Sequence, residues 1–162
     1  MEKKYPQSPL AGEALIARSW NALRRGAPKE AARSLEALAK RHPWMEKDLR
    51  VVLARSVVAY LEGRPGDIAG ALKDAPQGPA TVYLRAMAFE AQGAALKAAA
   101  LYQEVAERYP RSTLHNPAML AKANIFLASG AYRSAAEEMS RVIEKCSRPD
   151  IVGEAELRRA MA

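Results

Sequence analysis

The residues able to do acid–base, nucleophilic or metal chemistry are few and dispersed. His42 and His115 are far apart, and no His-Glu-x-x-His spacing joins either to a second ligand. His42 precedes Pro43-Trp44 at an expected helix end, where a basic side chain suits the dipole. His115 falls in the loop that follows Arg111-Ser112-Thr113-Leu114. A single cysteine, Cys146, can form neither an internal disulfide nor a cysteine-rich zinc site, and reads as a free thiol near a helix end. Gly63-Arg64-Pro65-Gly66 lacks the Gly-Lys-Ser/Thr ending of a phosphate-binding loop. The pairs Glu104/Glu107 and Glu137/Glu138 have the spacing of a solvated helix face. No serine, cysteine and histidine form a recognisable nucleophile arrangement. The expectation is a chain without catalysis, cofactor or metal.

The elements around these residues repeat. Gly26, Gly63, Gly93 and Gly130 recur at intervals of 37, 30 and 37 residues. Aligned on them, Ala31, Ile68, Ala98 and Ala135 open a second helix. Leu35, Leu72, Tyr102 and Met139 follow four residues later, and Pro43, Pro76, Pro110 and Pro149 close the units. Seven residues before each glycine stands a small side chain: Ser19, Ser56, Ala86 and Ala123. A small residue lets paired helices touch, glycine can take positive φ at a helix end, and proline stops a helix. Pro28 suits a first helical position, and Asn116-Pro117 reads as a cap followed by such a position. The second helix of the second unit is expected to be short, Asp67 to Lys73.

These columns resemble the tetratricopeptide repeat, whose period is about 34 residues. The resemblance covers roughly nine tenths of the chain. It implies an all-α fold, a right-handed superhelical solenoid of antiparallel helix hairpins. The units fall at about 12–43, 49–76, 79–110 and 116–149, with 150–162 beginning a further helix. The expectation is one solenoid over 1–162, a fragment of a longer chain. Tyr5-Pro6-Gln7-Ser8 and Tyr109-Pro110-Arg111-Ser112 are similar connectors. They look like those of the subgroup common in bacterial cell-envelope proteins, so the compartment is a bacterial envelope or cytoplasm.

The resemblance also implies a groove lined by first helices, where a protein or peptide would lie. Carried over by alignment, its positions include Glu13, Ile16, Trp20 and Leu23, then Arg50, Leu53, Val57 and Tyr60. Tyr83, Met87 and Glu90 follow, then Leu120, Asn124 and Leu127. Trp20 is either a binding anchor or a filler between helices. The clamp by which some members grip carboxylate tails is absent, because Ile16, Trp20, Ala54, Ala80 and Leu84 occupy its places.

A basic residue stands eight positions before each glycine: Arg18, Arg55, Arg85 and Lys122. This ladder would serve an acidic segment or an anionic polymer, or simply lay its stems on apolar neighbours and pair with local carboxylates. The net charge of +7 permits nucleic acid, but 18 acidic residues are mixed among the basic ones, so nucleic acid ranks below protein. No apolar run is long enough to span a membrane. The function expected is a protein-binding scaffold or adaptor. The alternatives are a helical accessory domain of a larger enzyme or regulator, and a self-associating solenoid.

Overall fold

Several helices in this chain begin at proline or a capping side chain, and the first helix of each hairpin ends at glycine. The computed structural model describes residues 8–146 and 148–162. Among these residues lie α1 (Pro9–Arg24), α2 (Pro28–Arg41), a 3₁₀ turn (Pro43–Met45), α3 (Leu49–Leu61) and α4 (Gly66–Ala71). They are followed by α5 (Pro79–Ala91), α6 (Ala95–Arg108), α7 (His115–Ala128), α8 (Tyr132–Lys145) and α9 (Pro149–Ala160). Proline occupies the first position of α1, α2, α5 and α9, where its missing N–H costs nothing. Asp48 Oδ1 accepts from the Arg50 amide at 2.9 Å and caps α3.

The four turn glycines share one conformation, with φ between +70° and +78°. The amide after each glycine reaches back to the carbonyl five residues earlier. The pairs are Ala27 to Ala22, Arg64 to Ala59, Ala94 to Phe89 and Ala131 to Phe126, at 2.8–2.9 Å. Each glycine amide bonds the carbonyl three residues before it, at 2.9–3.1 Å. This double closure is the Schellman motif, and it satisfies carbonyls that the helix end would leave bare. The hairpins α1–α2, α3–α4, α5–α6 and α7–α8 all turn this way.

The chain forms two compact units, Met1–Pro76 and Gln77–Ala162. In the first, α1 packs on α2 and α3, and α3 on α4. Its core holds Leu15, Ile16, Leu35, Leu38, Val51 and Val58. In the second, α5, α6, α7, α8 and α9 pack each on the next. The core there runs from Val82, Tyr102 and Val105 to Met139, Val142 and Ile151. The small residues Ser19, Ser56, Ala86 and Ala123 are fully buried, as are Ala31, Ile68, Ala98 and Ala135. Buried serine hydroxyls need acceptors. Ser19 donates to the Ile16 carbonyl at 2.7 Å, and Ser56 to that of Val52 at 3.0 Å.

Several local expectations are corrected. Asn116 does not cap α7, which starts earlier. Ser112 Oγ accepts from the Leu114 amide at 3.1 Å and its carbonyl from that of His115, so the turn is already closed there. Pro149 opens α9 rather than merely closing the preceding unit. His42 does stand at the end of α2, as its place before Pro43 suggests, but its ring faces the interior. It is fully buried, with neither ring nitrogen hydrogen-bonded, edge-on to Trp44 at 5.2 Å. Cys146 is a buried free thiol at the end of α8. Of the first connector, Tyr5-Pro6-Gln7 lies outside the described residues, whereas Ser8 caps α1 through the Leu10 amide. Ser8 and Ser112 each accept from the amide two residues on, but only Ser8 is the cap of its helix.

The second helix of the second unit, α4, has six residues against fourteen in α2, α6 and α8. Two of the six are glycine, a poor helix former. The shortfall leaves a cavity of about 320 Å³ between α2, α3 and α4, walled by Ala32, Leu35, Val58 and Ala59. Hydrogen exchange should therefore show the amides of 68–73 exchanging well before those of α6; equal protection would refute the link between helix length and local stability. Gly93→Ala, forced to positive φ, should lower stability by about 1–2 kcal/mol in denaturant unfolding.

Candidate functional site

Tyr83 on α5, Leu120 and Asn124 on α7, and Ile151 on α9 converge on one cleft in the second unit. The cleft measures about 260 Å³ and is also lined by Pro117, Ala121, Arg148 and Glu154. Three alternate helices of the repeat reach it, so its floor is built from their packing. Tyr83 stands edge-on to the buried Tyr102, with ring centroids 5.3 Å apart. Tyr102 in turn donates its hydroxyl to Glu90 Oε2 at 2.7 Å. That bond satisfies a phenol sunk in the core and fixes the ring behind Tyr83. Asn124 presents a different situation: its Oδ1 is shielded from solvent and accepts no hydrogen bond. At the rim, Arg148 donates to Asp150 at 2.5 and 3.2 Å. These bonds hold the Asp150 carboxyl below the usual carboxylate range.

The other expected groove residues are placed differently. Ile16 is 3% exposed and belongs to the core of the first unit. Trp20 is partly buried and packs against that core beside Leu23. Leu53, Val57 and Tyr60 are half-buried on α3. Met87 packs on the core of the second unit and does not line the cleft. Leu120 is 6% exposed, so it offers the cleft a floor and little free surface.

The two charged positions of the first unit's groove are joined. Arg50 on α3 donates to both oxygens of Glu13 on α1, at 2.7 and 2.8 Å, and also to Asp48. A planar guanidinium can serve both carboxylates at once. These hydrogen bonds hold the Glu13 and Asp48 carboxyls below their ordinary values. The same bonds raise the Arg50 guanidinium.

Comparison with known families places a match on the segment that supplies Tyr83 and Tyr102. Residues 80–112 match the tetratricopeptide repeat. The matched segment is similar to a single such repeat. It comprises α5, the Gly93 turn, α6 and the connector ending at Ser112. No curated protein and no solved structure gives a match. A tetratricopeptide repeat is a protein-interaction module, typically non-catalytic, and stacked repeats present extended binding surfaces. No described helix is long and apolar enough to cross a membrane.

The basic column of the tetratricopeptide alignment has unequal surroundings. Arg55 pairs with Glu46 at 2.8 Å. Lys122 donates to Glu138 Oε1 at 2.7 Å and to Gln103 at 2.5 Å, and stands 5.4 Å from the Phe126 ring centroid. Arg85 is half-buried and Arg18 exposed. Glu138 corrects the expectation of a solvated acidic face. It is 7% exposed because Lys122 from α7 and Arg141 from its own helix both bond it. Sequence reasoning did not find Arg148, Ile151 and Glu154 on the cleft. Pro149 read as a helix stop, whereas Pro at a first helical position followed by Asp150 is also a start signal.

The tie between α1 and α3 predicts a pH dependence. A carboxyl with a lowered folded-state pKa contributes stability that is present above its unfolded value and is lost as pH falls through the folded value. Arg50→Gln should therefore destabilise the first unit at neutral pH. The gap from wild type should close as pH falls below about 4 in thermal melts read by circular dichroism. A gap that persists undiminished in acid would show that the tie is not ionic.

Proposed function

We propose that the second unit binds a peptide segment of another protein in the cleft between α5, α7 and α9. The carrying observation is Asn124, whose side chain lines a cleft of mixed polar and apolar character and whose Oδ1 is enclosed without a hydrogen-bond donor. Leaving such an acceptor unpaired costs about 1–3 kcal/mol. Were the Asn124 side chain to turn its oxygen into the cleft, a backbone N–H from an incoming peptide would recover that cost, and binding by a main-chain donor tolerates many peptide sequences. Specificity would come from the apolar surface of Tyr83, Leu120 and Ile151 and from the opposed charges of Arg148 and Glu154. Such a mixture of aromatic, apolar and paired polar groups is the chemistry of a protein-binding surface. In the first unit, Trp20, Leu53, Val57 and Tyr60 offer a second half-buried strip for the same class of partner. Protein is favoured over nucleic acid because the cleft's one cation, Arg148, is already neutralised by Asp150 and faces a carboxylate at the rim.

Peptide-display selection on the full chain tests this reading. Enriched peptides should bind wild type and lose about tenfold in affinity with Asn124→Leu, and again with Tyr83→Ala, while the helical signal is unchanged. Peptides that bind both variants as tightly as wild type would remove the cleft from consideration.

A further inference from the structure

We propose a separate docking surface, in the first unit, for a basic amphipathic helix of another protein that fills the space α4 leaves. α4 has eight residues fewer than α6, a shortfall of about 12 Å of helix. The consequence falls on one column of the repeat. Leu38, Val105 and Val142 stand twelve residues after their glycines and are fully buried. The same place after Gly63 is Ala75, beyond the end of α4. Space is left on both sides of Ala71. The cavity of about 320 Å³ lies against α2 and α3, and another of about 230 Å³ is bordered by Leu49, Val52 and Ala75. The larger one has walls suited to a helix. On α2 they are Ala32, Leu35 and Ala39, at intervals of three and four residues, and on α3 Val58 and Ala59. That spacing is the packing stripe of a helix, and alanine lets a second axis come close. Leu35 and Val58, both buried, make the floor apolar.

Charge fixes the chemistry of the occupant. Both arginines on the cavity already have carboxylates: Arg55 pairs with Glu46 at 2.8 Å, and Arg64 with Glu62 at 2.6 Å and with Asp67. Glu36 on the α2 wall is exposed, and no described residue bonds its carboxylate. A helix laid here therefore meets a carboxylate open to a cation, whereas an acidic helix would have to displace Glu46, Glu62 or Asp67. Lysine or arginine beside an apolar seam would set cations against Glu36 and aliphatic side chains on Leu35 and Val58. A second copy fits less well. Its exposed apolar pair on α9, Leu157 and Met161, is flanked by Glu154 and Glu156, which would face Glu36. Nucleic acid would bring phosphates to the same carboxylate.

The test measures binding of the full chain to a labelled three-heptad helical peptide carrying leucine and alanine in its seam and lysine on both flanks. Its glutamate twin is the comparator. The net charge of +7 favours the twin at long range, so a preference for the lysine peptide reports the local carboxylates. The lysine peptide should bind at least about tenfold more tightly than the twin. Glu36→Gln should weaken it by about fivefold, the loss of one exposed pair. Ala39→Phe, which fills the seat, should weaken it by about tenfold, with helical content preserved in both variants. At saturating peptide the amides of 68–73 should exchange more slowly, because the occupant supplies packing that α4 lacks. Tyr83→Ala and Asn124→Leu should leave this binding unchanged, which separates it from the cleft of the second unit. The proposal is overturned if the lysine peptide binds no more tightly than its twin, or if Glu36→Gln or Ala39→Phe binds it as wild type does. It is equally overturned if saturating peptide leaves the exchange of 68–73 unchanged. A change of the protein's mass in sedimentation with Ala39→Phe would also overturn it, by assigning the cavity to a second copy.

Discussion

The structure depends on four glycines that turn a helix back on itself. At each turn the chain must reverse within a few residues and leave no helix-end carbonyl bare. A positive φ with two back-reaching amides achieves both, and only glycine takes that φ without a steric penalty. Once the turn is set, the residue seven before the glycine and the one five after it meet between the helices. Both must be small or precisely shaped to the gap in at least one partner, and every one of them is fully buried. Local backbone geometry therefore dictates which side chains form each hairpin's interior.

Polar groups that enter this interior are satisfied locally or by one distant partner. Ser19 and Ser56 stand where alanine stands in the later hairpins, and each returns its hydroxyl to a carbonyl of its own helix. Tyr102 fills the position held by Leu35, Leu72 and Met139, and its longer ring carries a hydroxyl out to Glu90. Glu138 and Lys122 are the costlier case: two charges with little exposure, held by each other, Gln103, Arg141 and a ring face. Among the described residues His42, Asn116 and Asn124 are the exceptions, each with side-chain polar atoms enclosed and unpaired. In His42 the ring is packed between a turn and the first turns of α1, where a side chain on Gly12 would collide with Met45. The Asn124 side chain, unlike that of His42, lines a cleft, which is why the cleft rather than the histidine carries the functional reading.

The surfaces that remain follow from the same architecture. Alternate helices in the second unit leave a cleft with a floor of core residues and a rim of charge. The first helix of the first unit leaves its outer face to solvent, with arginines along it. The regular basic column divides in the same way. Arg55 and Lys122 lie where carboxylates of a neighbouring turn and a neighbouring helix reach them, and the Arg55 pair is the more exposed of the two.

The sequence by itself determined the hairpins. Gly26, Gly63, Gly93 and Gly130, the small residues around them, the larger apolar residues behind them and the short α4 were all legible, because each is a constraint acting within about one repeat period. Only the tertiary structure decided that Arg50 joins Glu13, that Glu138 is buried, that His42 is enclosed, and that α9 completes the cleft with Tyr83 and Asn124. Those contacts join residues on different helices. They are set by the angle and distance at which hairpins pack, and a periodic pattern of small and apolar residues specifies that two helices touch without specifying which polar side chains the contact brings together.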